Sequence, residues 1–117
     1  MYTEENPKSV TMAVGEYGHH GDIVIECIAS LPDDFATLPD AGNILAPGSQ
    51  PGHEHVVFGD HFSMRRADDV LYIKTDDTIT LKHQTHRPIT LLGAGVYIGY
   101  PMLEKDHIND VIRAVED

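Results

Sequence analysis

Short segments rich in β-branched and aromatic residues recur along this chain, and turn-forming residues separate them. We predict strands at residues 23–28, 43–46, 53–58, 61–65, 70–75, 78–82, 89–92 and 95–100. Turn signals such as Asp76-Asp77 and Arg87-Pro88 lie between them. Many short strands at this spacing predict an all-β fold, either a small β-sandwich or a β-barrel, with a cupin-like barrel as one candidate.

Three segments that lie largely outside the predicted strands have compositions of their own. Residues 1–10 are polar, which predicts a flexible N-terminal arm, followed by a single β domain over residues 11–117 with a short first strand at 11–14. Residues 31–52 are rich in proline and glycine and form a long loop that leads into His53. Apolar side chains after Asp106 recur at helical spacing, which predicts a short C-terminal helix.

Size and charge restrict the partners of the chain. The length of 117 residues suits one domain, and the formal net charge of −11 opposes binding to nucleic acid. No apolar run approaches the roughly 20 residues of a membrane helix, and the first residues lack a signal-peptide pattern, so we expect a cytoplasmic protein without a membrane partner. Cys27, the single cysteine, is expected to be a buried thiol. Exposed strand edges would permit a homodimer.

Two histidine signatures give the strongest indication of chemistry. They are Gly52-His53-Glu54-His55 and His83-Gln84-Thr85-His86. His53 and His55 are two residues apart in a predicted strand, so their side chains share one face. His83 and His86 are three apart, so both reach one site only if the strand ends or bulges between them. The following Arg87-Pro88 favours such an ending.

If the predicted strands at 53–58 and 78–82 are neighbours, the two histidine signatures would converge. They would then bind a divalent transition metal (Zn, Fe, Mn or Ni), because these ions prefer imidazole ligands. The predicted metal ligands are His53, His55, His83 and His86. Three of them would leave an open position for water or a compact polar substrate, whereas four would favour a closed structural site. His61 is a reserve ligand, and Asp60 would substitute for one imidazole. We expect His19, His20 and His107 to be solvated.

Two other interpretations stay open beside a small metal-dependent enzyme. The chain would be a non-enzymatic interaction protein, such as a phage or host accessory factor, if its acidic surface carries the function. It would be a plain β domain if the histidines form a hydrogen-bonded cluster without metal. The serines lack a nucleophile-elbow context and no glycine-rich phosphate loop precedes a helix, so we name no catalytic residue.

The stretch from Pro47 to His55 resembles the first metal-binding motif of the cupins, which are small β-barrels that place two such histidines inside the barrel. This resemblance implies a reaction such as a dioxygenase or isomerase step. Cupins usually carry a glutamate a few residues after the pair, but Val56-Val57-Phe58-Gly59 occupies that interval here.

A second likeness covers residues 21–117. The order Gly21-Asp22-Ile23, Gly52-His53-Glu54-His55, His83-Gln84-Thr85-His86, Gly95-Val96-Tyr97 and Val115-Glu116-Asp117 is similar to a group of small uncharacterised bacterial and phage proteins. The resemblance implies the same domain boundaries and the same four histidines. It implies no particular activity.

Overall fold

The computed structural model describes residues 6–46 and 54–101, which form ten β-strands and one 3-10 helical turn, Phe35–Thr37. The strands are β1 (Lys8–Val10), β2 (Tyr17–His20), β3 (Ile23–Cys27), β4 (Ile44–Ala46), β5 (His55–Phe58), β6 (Phe62–Ala67), β7 (Val70–Thr75), β8 (Ile79–Lys82), β9 (Ile89–Leu91) and β10 (Gly95–Pro101). No helix in the described residues is long and apolar enough to cross a membrane.

The strands form two five-stranded sheets. The first sheet has the order β1-β9-β8-β5-β4, and the second has the order β2-β3-β10-β7-β6. The pair β1–β9 is parallel, whereas the other neighbours are antiparallel. Two separate, mainly antiparallel sheets that share one core make this an all-β sandwich, which confirms the predicted fold class.

Side chains from both sheets fill one hydrophobic core. Val57, Ile73 and Leu91 are fully buried, and the same cluster contains residues of most other strands. The alternation of buried and partly exposed side chains in β8, Ile79–Lys82, is typical of a strand with one face on the core. This core leaves the ends of the strands as the places where polar groups can gather.

Every segment predicted as a strand between residues 23 and 100 overlaps an observed strand. Two differences occur near the N-terminus. Lys8–Val10, assigned to the arm by sequence, pairs with Ile89–Leu91, and residues 11–14 are not a strand. Tyr17–His20 is a strand that the sequence did not predict, because it contains no β-branched residue and forms by pairing with β3. The predicted C-terminal helix lies outside the described residues.

Candidate functional site

Four histidine side chains meet between the two sheets. We call His20, His55, His83 and His86 the histidine cluster, in which the ring centroids are 4.4 to 6.4 Å apart. His20, His55 and His83 are buried, with 1%, 2% and 5% of their surface exposed. A group of imidazoles taken from water in this way needs hydrogen bonds or another partner to offset the loss of hydration.

The pairing of β5 with β8 brings His55 next to His83. Val56 lies opposite Lys82 in this antiparallel ladder, so His55 and His83 follow one position further in each chain direction. Their ring centroids are 4.4 Å apart. The two strands are therefore neighbours, which is the condition that convergence of the two histidine signatures required.

The second histidine signature, His83 to His86, lies just after the end of β8 rather than within it. β8 ends at Lys82, and residues 84–86 form a bend that turns His86 back to within 4.6 Å of His83, measured between ring centroids. The Gln84 side-chain oxygen accepts a hydrogen bond from the Glu54 backbone N–H at 3.0 Å, which ties this bend to the start of β5. β8 thus ends one residue before His83, and this ending meets the condition under which both histidines can reach one site.

His20 joins the cluster from the second sheet, and the expectation that it is solvated is wrong. It is the last residue of β2, and Gly21-Asp22 is the two-residue turn of the β2–β3 hairpin, in which His20 pairs with Ile23. Gly21 has φ +65°, the left-handed backbone that such a turn requires at its first position. A Gly-Asp pair before a β-branched run was the sequence signal for this hairpin.

A hydrogen-bonded chain runs from the surface into the cluster. The carboxylate of Asp22 is 3.1 Å from Nε2 of His55, and Nδ1 of His55 is 3.1 Å from Nδ1 of His20. A carboxylate only accepts, so we assign the His55 proton to Nε2, which leaves a lone pair on its Nδ1. His20 Nε2 is buried and has no hydrogen-bond partner among the described residues.

The two buried rings at the centre of this chain are neutral at pH 7. Burial lowers the pKa of His20 to about 4, and the neighbouring imidazoles add to the shift. Burial also lowers the pKa of His55 to about 4, with His83 adding to the shift and Asp22 opposing it. The contact between Asp22 and His55 is therefore a hydrogen bond that the neutral His55 ring donates to the carboxylate, rather than an ion pair. Neutral imidazole is the form that binds metals.

His83 has a different hydrogen-bonding role from its neighbours. Its Nδ1 accepts the Thr85 backbone N–H at 3.0 Å and lies 3.2 Å from the Thr85 hydroxyl. A neutral ring that accepts at Nδ1 carries its proton on Nε2. His83 in this arrangement can donate a hydrogen bond through Nε2 but cannot offer that nitrogen as a ligand.

Gly21 allows His86 to approach the cluster. A Cβ atom added at Gly21 would lie 2.6 Å from Nε2 of His86 and 3.1 Å from Cε1 of His55. Both contacts are shorter than ordinary van der Waals distance, so any larger residue would displace the histidines. The glycine in the β2–β3 turn thus serves both the turn and the packing of the two rings.

The remaining candidate residues lie elsewhere. His61 and Asp60 are exposed in the β5–β6 connection, whereas His53 and His107 lie outside the described residues. Cys27 is buried, as predicted, and burial raises the pKa of its thiol. Within residues 6–46 and 54–101, no three His, Cys, Asp or Glu side chains already surround one point as metal ligands would.

One family matches this chain. A search of the curated proteins and a search of the solved structures find no match. The family described as "Domain of unknown function (DUF8820)" matches residues 19–98. This region is more than half of the chain and contains the whole histidine cluster together with Asp22. The chain therefore belongs to the DUF8820 family of domains of unknown function.

Proposed function

We propose that this protein binds a divalent transition metal (Zn, Fe, Mn or Ni) at the histidine cluster and is a small metal-dependent enzyme acting on a compact polar molecule. His20, His55 and His86 are the proposed ligands, and His83 is a supporting hydrogen-bond donor. His53, which the sequence also predicts as a ligand, lies outside the described residues. The single observation that carries the proposal is the contact between His20 and His55.

The distance between these two rings is that of two ligands on one ion. Their Nδ1 atoms are 3.1 Å apart. Two nitrogens bound to a tetrahedral zinc at its usual bond length are separated by about 3.3 Å. Asp22 accepts from the opposite nitrogen of His55, which is the carboxylate–histidine arrangement that orients metal-bound imidazoles.

The protonation of His20 differs between the empty and the metal-bound cluster. Without metal, His20 must donate from Nδ1 to the lone pair of His55, and its buried Nε2 then holds a lone pair with no partner. With metal, both Nδ1 atoms offer lone pairs and the His20 proton moves to Nε2. Two neutral imidazoles whose Nδ1 atoms face each other at 3.1 Å can therefore present both lone pairs to one ion.

The third ligand is His86. Its ring centroid is 6.0 Å from that of His20 and 6.1 Å from that of His55, compared with about 5 Å for imidazoles that share one ion. A small rotation of His86, which is only half-buried, would close this difference. Its Nε2 lies on the side of Gly21, where it also approaches His55.

Three protein ligands leave one position open, and a metal held in this way lowers the pKa of bound water. The chain would contribute three things to such a site. His20, His55 and His86 bind the ion, Asp22 fixes the orientation of His55, and His83 contributes an Nε2–H donor within the cluster. The site borders a cavity lined by His20 and His86, which gives a small molecule access.

Elemental analysis of protein produced without a histidine tag tests this function. We expect close to one metal ion per chain in the wild type, and loss of most of it in His20→Ala and His55→Ala. His61→Ala is the matched control, since His61 is an exposed histidine outside the cluster. Metal retained equally by all four proteins, or absent from the wild type after growth and dialysis with added zinc, would refute the proposal.

A further inference from the structure

A cavity of about 480 Å³ opens beside the histidine cluster. It lies between β1, β8 and β9 of the first sheet and β2 and β3 of the second. Its volume falls in the range of sites that hold small organic molecules. The cavity shares His20 and His86 with the cluster, whereas His55 does not line it.

The inner surface of the cavity is apolar. Ile25, Leu81 and Leu91 line it and are fully buried members of the core, with at most 2% of their surface exposed. Val10 and Ile89 line it as well and are partly buried. An occupant of this surface would need a hydrocarbon portion, because these residues offer no side-chain hydrogen bond.

The outer part of the cavity carries positive charge. Lys8 and Arg87 line it and are exposed, and none of the described aspartates and glutamates lines it. This is unusual for a chain with 19 acidic and 8 basic residues. A cationic opening in an otherwise acidic protein favours one anionic group over a neutral or cationic one.

The two cationic residues are held side by side by the backbone. The Lys8 backbone N–H donates to the Pro88 carbonyl at 2.8 Å, which joins the first residue of β1 to the residue after Arg87. Nε of Arg87 donates to the Asn6 carbonyl at 2.8 Å, which uses one of the five N–H donors of the guanidinium and anchors the group beside β1. A carboxylate matches the geometry of the terminal nitrogens of a guanidinium.

We propose that this cavity binds a compact organic carboxylate, with the carboxylate between Lys8 and Arg87 and the hydrocarbon portion against Ile25, Leu81 and Leu91. The proposal names the substrate class for the adjacent cluster. It rests on the proposed function for the reaction but not for binding, since neither Lys8 nor Arg87 is a proposed metal ligand. A carboxylate bound here would lie beside His86.

Hexanoate is the probe, compared with hexan-1-ol and hexylamine, which keep the hydrocarbon chain and change only the charge. Titration of metal-free wild-type protein is followed by methyl NMR. We expect hexanoate to shift the methyl resonances of Ile25, Leu81 and Leu91 and to bind at least about tenfold more tightly than hexan-1-ol, with hexylamine weakest. Hexanoate that binds no more tightly than hexan-1-ol, or that shifts only other resonances, overturns the proposal.

Variants locate the anion. Lys8→Gln/Arg87→Gln should weaken hexanoate binding about tenfold and leave hexan-1-ol binding unchanged. The control is Arg66→Gln/Lys74→Gln, which removes the same two charges from β6 and β7, outside the cavity. An equal loss of hexanoate affinity in both double variants would show a general charge effect and refute the proposed carboxylate site. Hexanoate binding by a protein that fails to take up zinc supports the carboxylate site and refutes only the metal proposal.

Discussion

Replacing Gly21 by alanine tests whether His86 belongs to the metal site, and the chain supplies a matched control. Gly21 and Gly42 both have left-handed backbones, with φ of +65° and +63°. Alanine in this conformation costs roughly 1–2 kcal/mol at either position. Gly21→Ala and Gly42→Ala should therefore lose similar stability from backbone strain.

The two positions differ in what a new methyl group meets. At Gly42 nothing lies within 4 Å, whereas at Gly21 the methyl carbon would be 2.6 Å from Nε2 of His86. Ordinary contact begins at 3.4 Å, so His86 must move by at least 0.8 Å, which is 3.4 minus 2.6. The displaced ring could not then rotate toward His20 and His55 as the proposed site requires, because metal–ligand distances tolerate only about 0.2 Å. We expect zinc affinity to fall at least about tenfold in Gly21→Ala and to stay unchanged in Gly42→Ala.

The assay pairs two measurements on each protein. Urea denaturation of metal-free protein gives the free energy of unfolding, and competition with a chromophoric chelator gives the zinc affinity. Gly21→Ala that binds zinc as tightly as Gly42→Ala does would refute His86 as a ligand. A loss of affinity in both variants that follows their loss of stability would refute the steric argument.

Three further outcomes follow from the same contacts. An unfolded histidine takes up a proton below pH 6.5, whereas the buried rings of His20 and His55 stay neutral down to about 4. Metal-free stability should thus be complete above pH 6.5 and fall by about 2 kcal/mol per histidine at pH 5; urea denaturation that gives equal stabilities at both pH values would contradict this. Asp22→Asn should weaken zinc binding about tenfold while Asp69→Asn, another exposed carboxylate, should not, as chelator competition would show. Ile73→Ala should cost about 2–5 kcal/mol in urea denaturation because Ile73 is fully buried, and a loss below 1 kcal/mol would argue against this core.

The strands of this fold could be predicted where the sequence is locally distinctive. Residues 70–75 alternate between partly exposed and buried side chains within a β-branched and aromatic run, and the observed strand has the same bounds, Val70–Thr75. Tyr17–His20 offers no β-branched residue, and its strand conformation comes from pairing with Ile23–Cys27. Lys8–Val10 depends on a partner more than 75 residues away, which no local pattern can reveal.

The site was predictable in the part that two adjacent strands determine. His55, His83 and His86 come together because β5 pairs with β8 and β8 ends at Lys82. The sequence favoured the strand ending through Arg87-Pro88, whereas the pairing of the two strands was a condition of the prediction. The place of His20 in the cluster was not predictable, because a histidine in a glycine-rich context is usually solvated. Its burial depends on packing between the second sheet, to which it belongs, and the first. The hydrogen bond from the Thr85 backbone N–H to Nδ1 of His83 could not be predicted either, because the bend itself makes this contact.

The position of the cluster links the stability of the sandwich to its proposed chemistry. His20 belongs to the second sheet and His55 to the first, so their 3.1 Å contact joins the two layers beside the apolar core. Protonation of both rings would place like charges across this junction and push the sheets apart. An ion bound to both rings would instead stabilise the native state, since the unfolded chain does not keep the two nitrogens together. Protonation and metal binding both act on this one contact. Acid treatment and removal of the metal by a chelator should therefore weaken the same end of the sandwich, beside the cavity proposed to bind a carboxylate. The β6–β7–β10 side should stay folded longest.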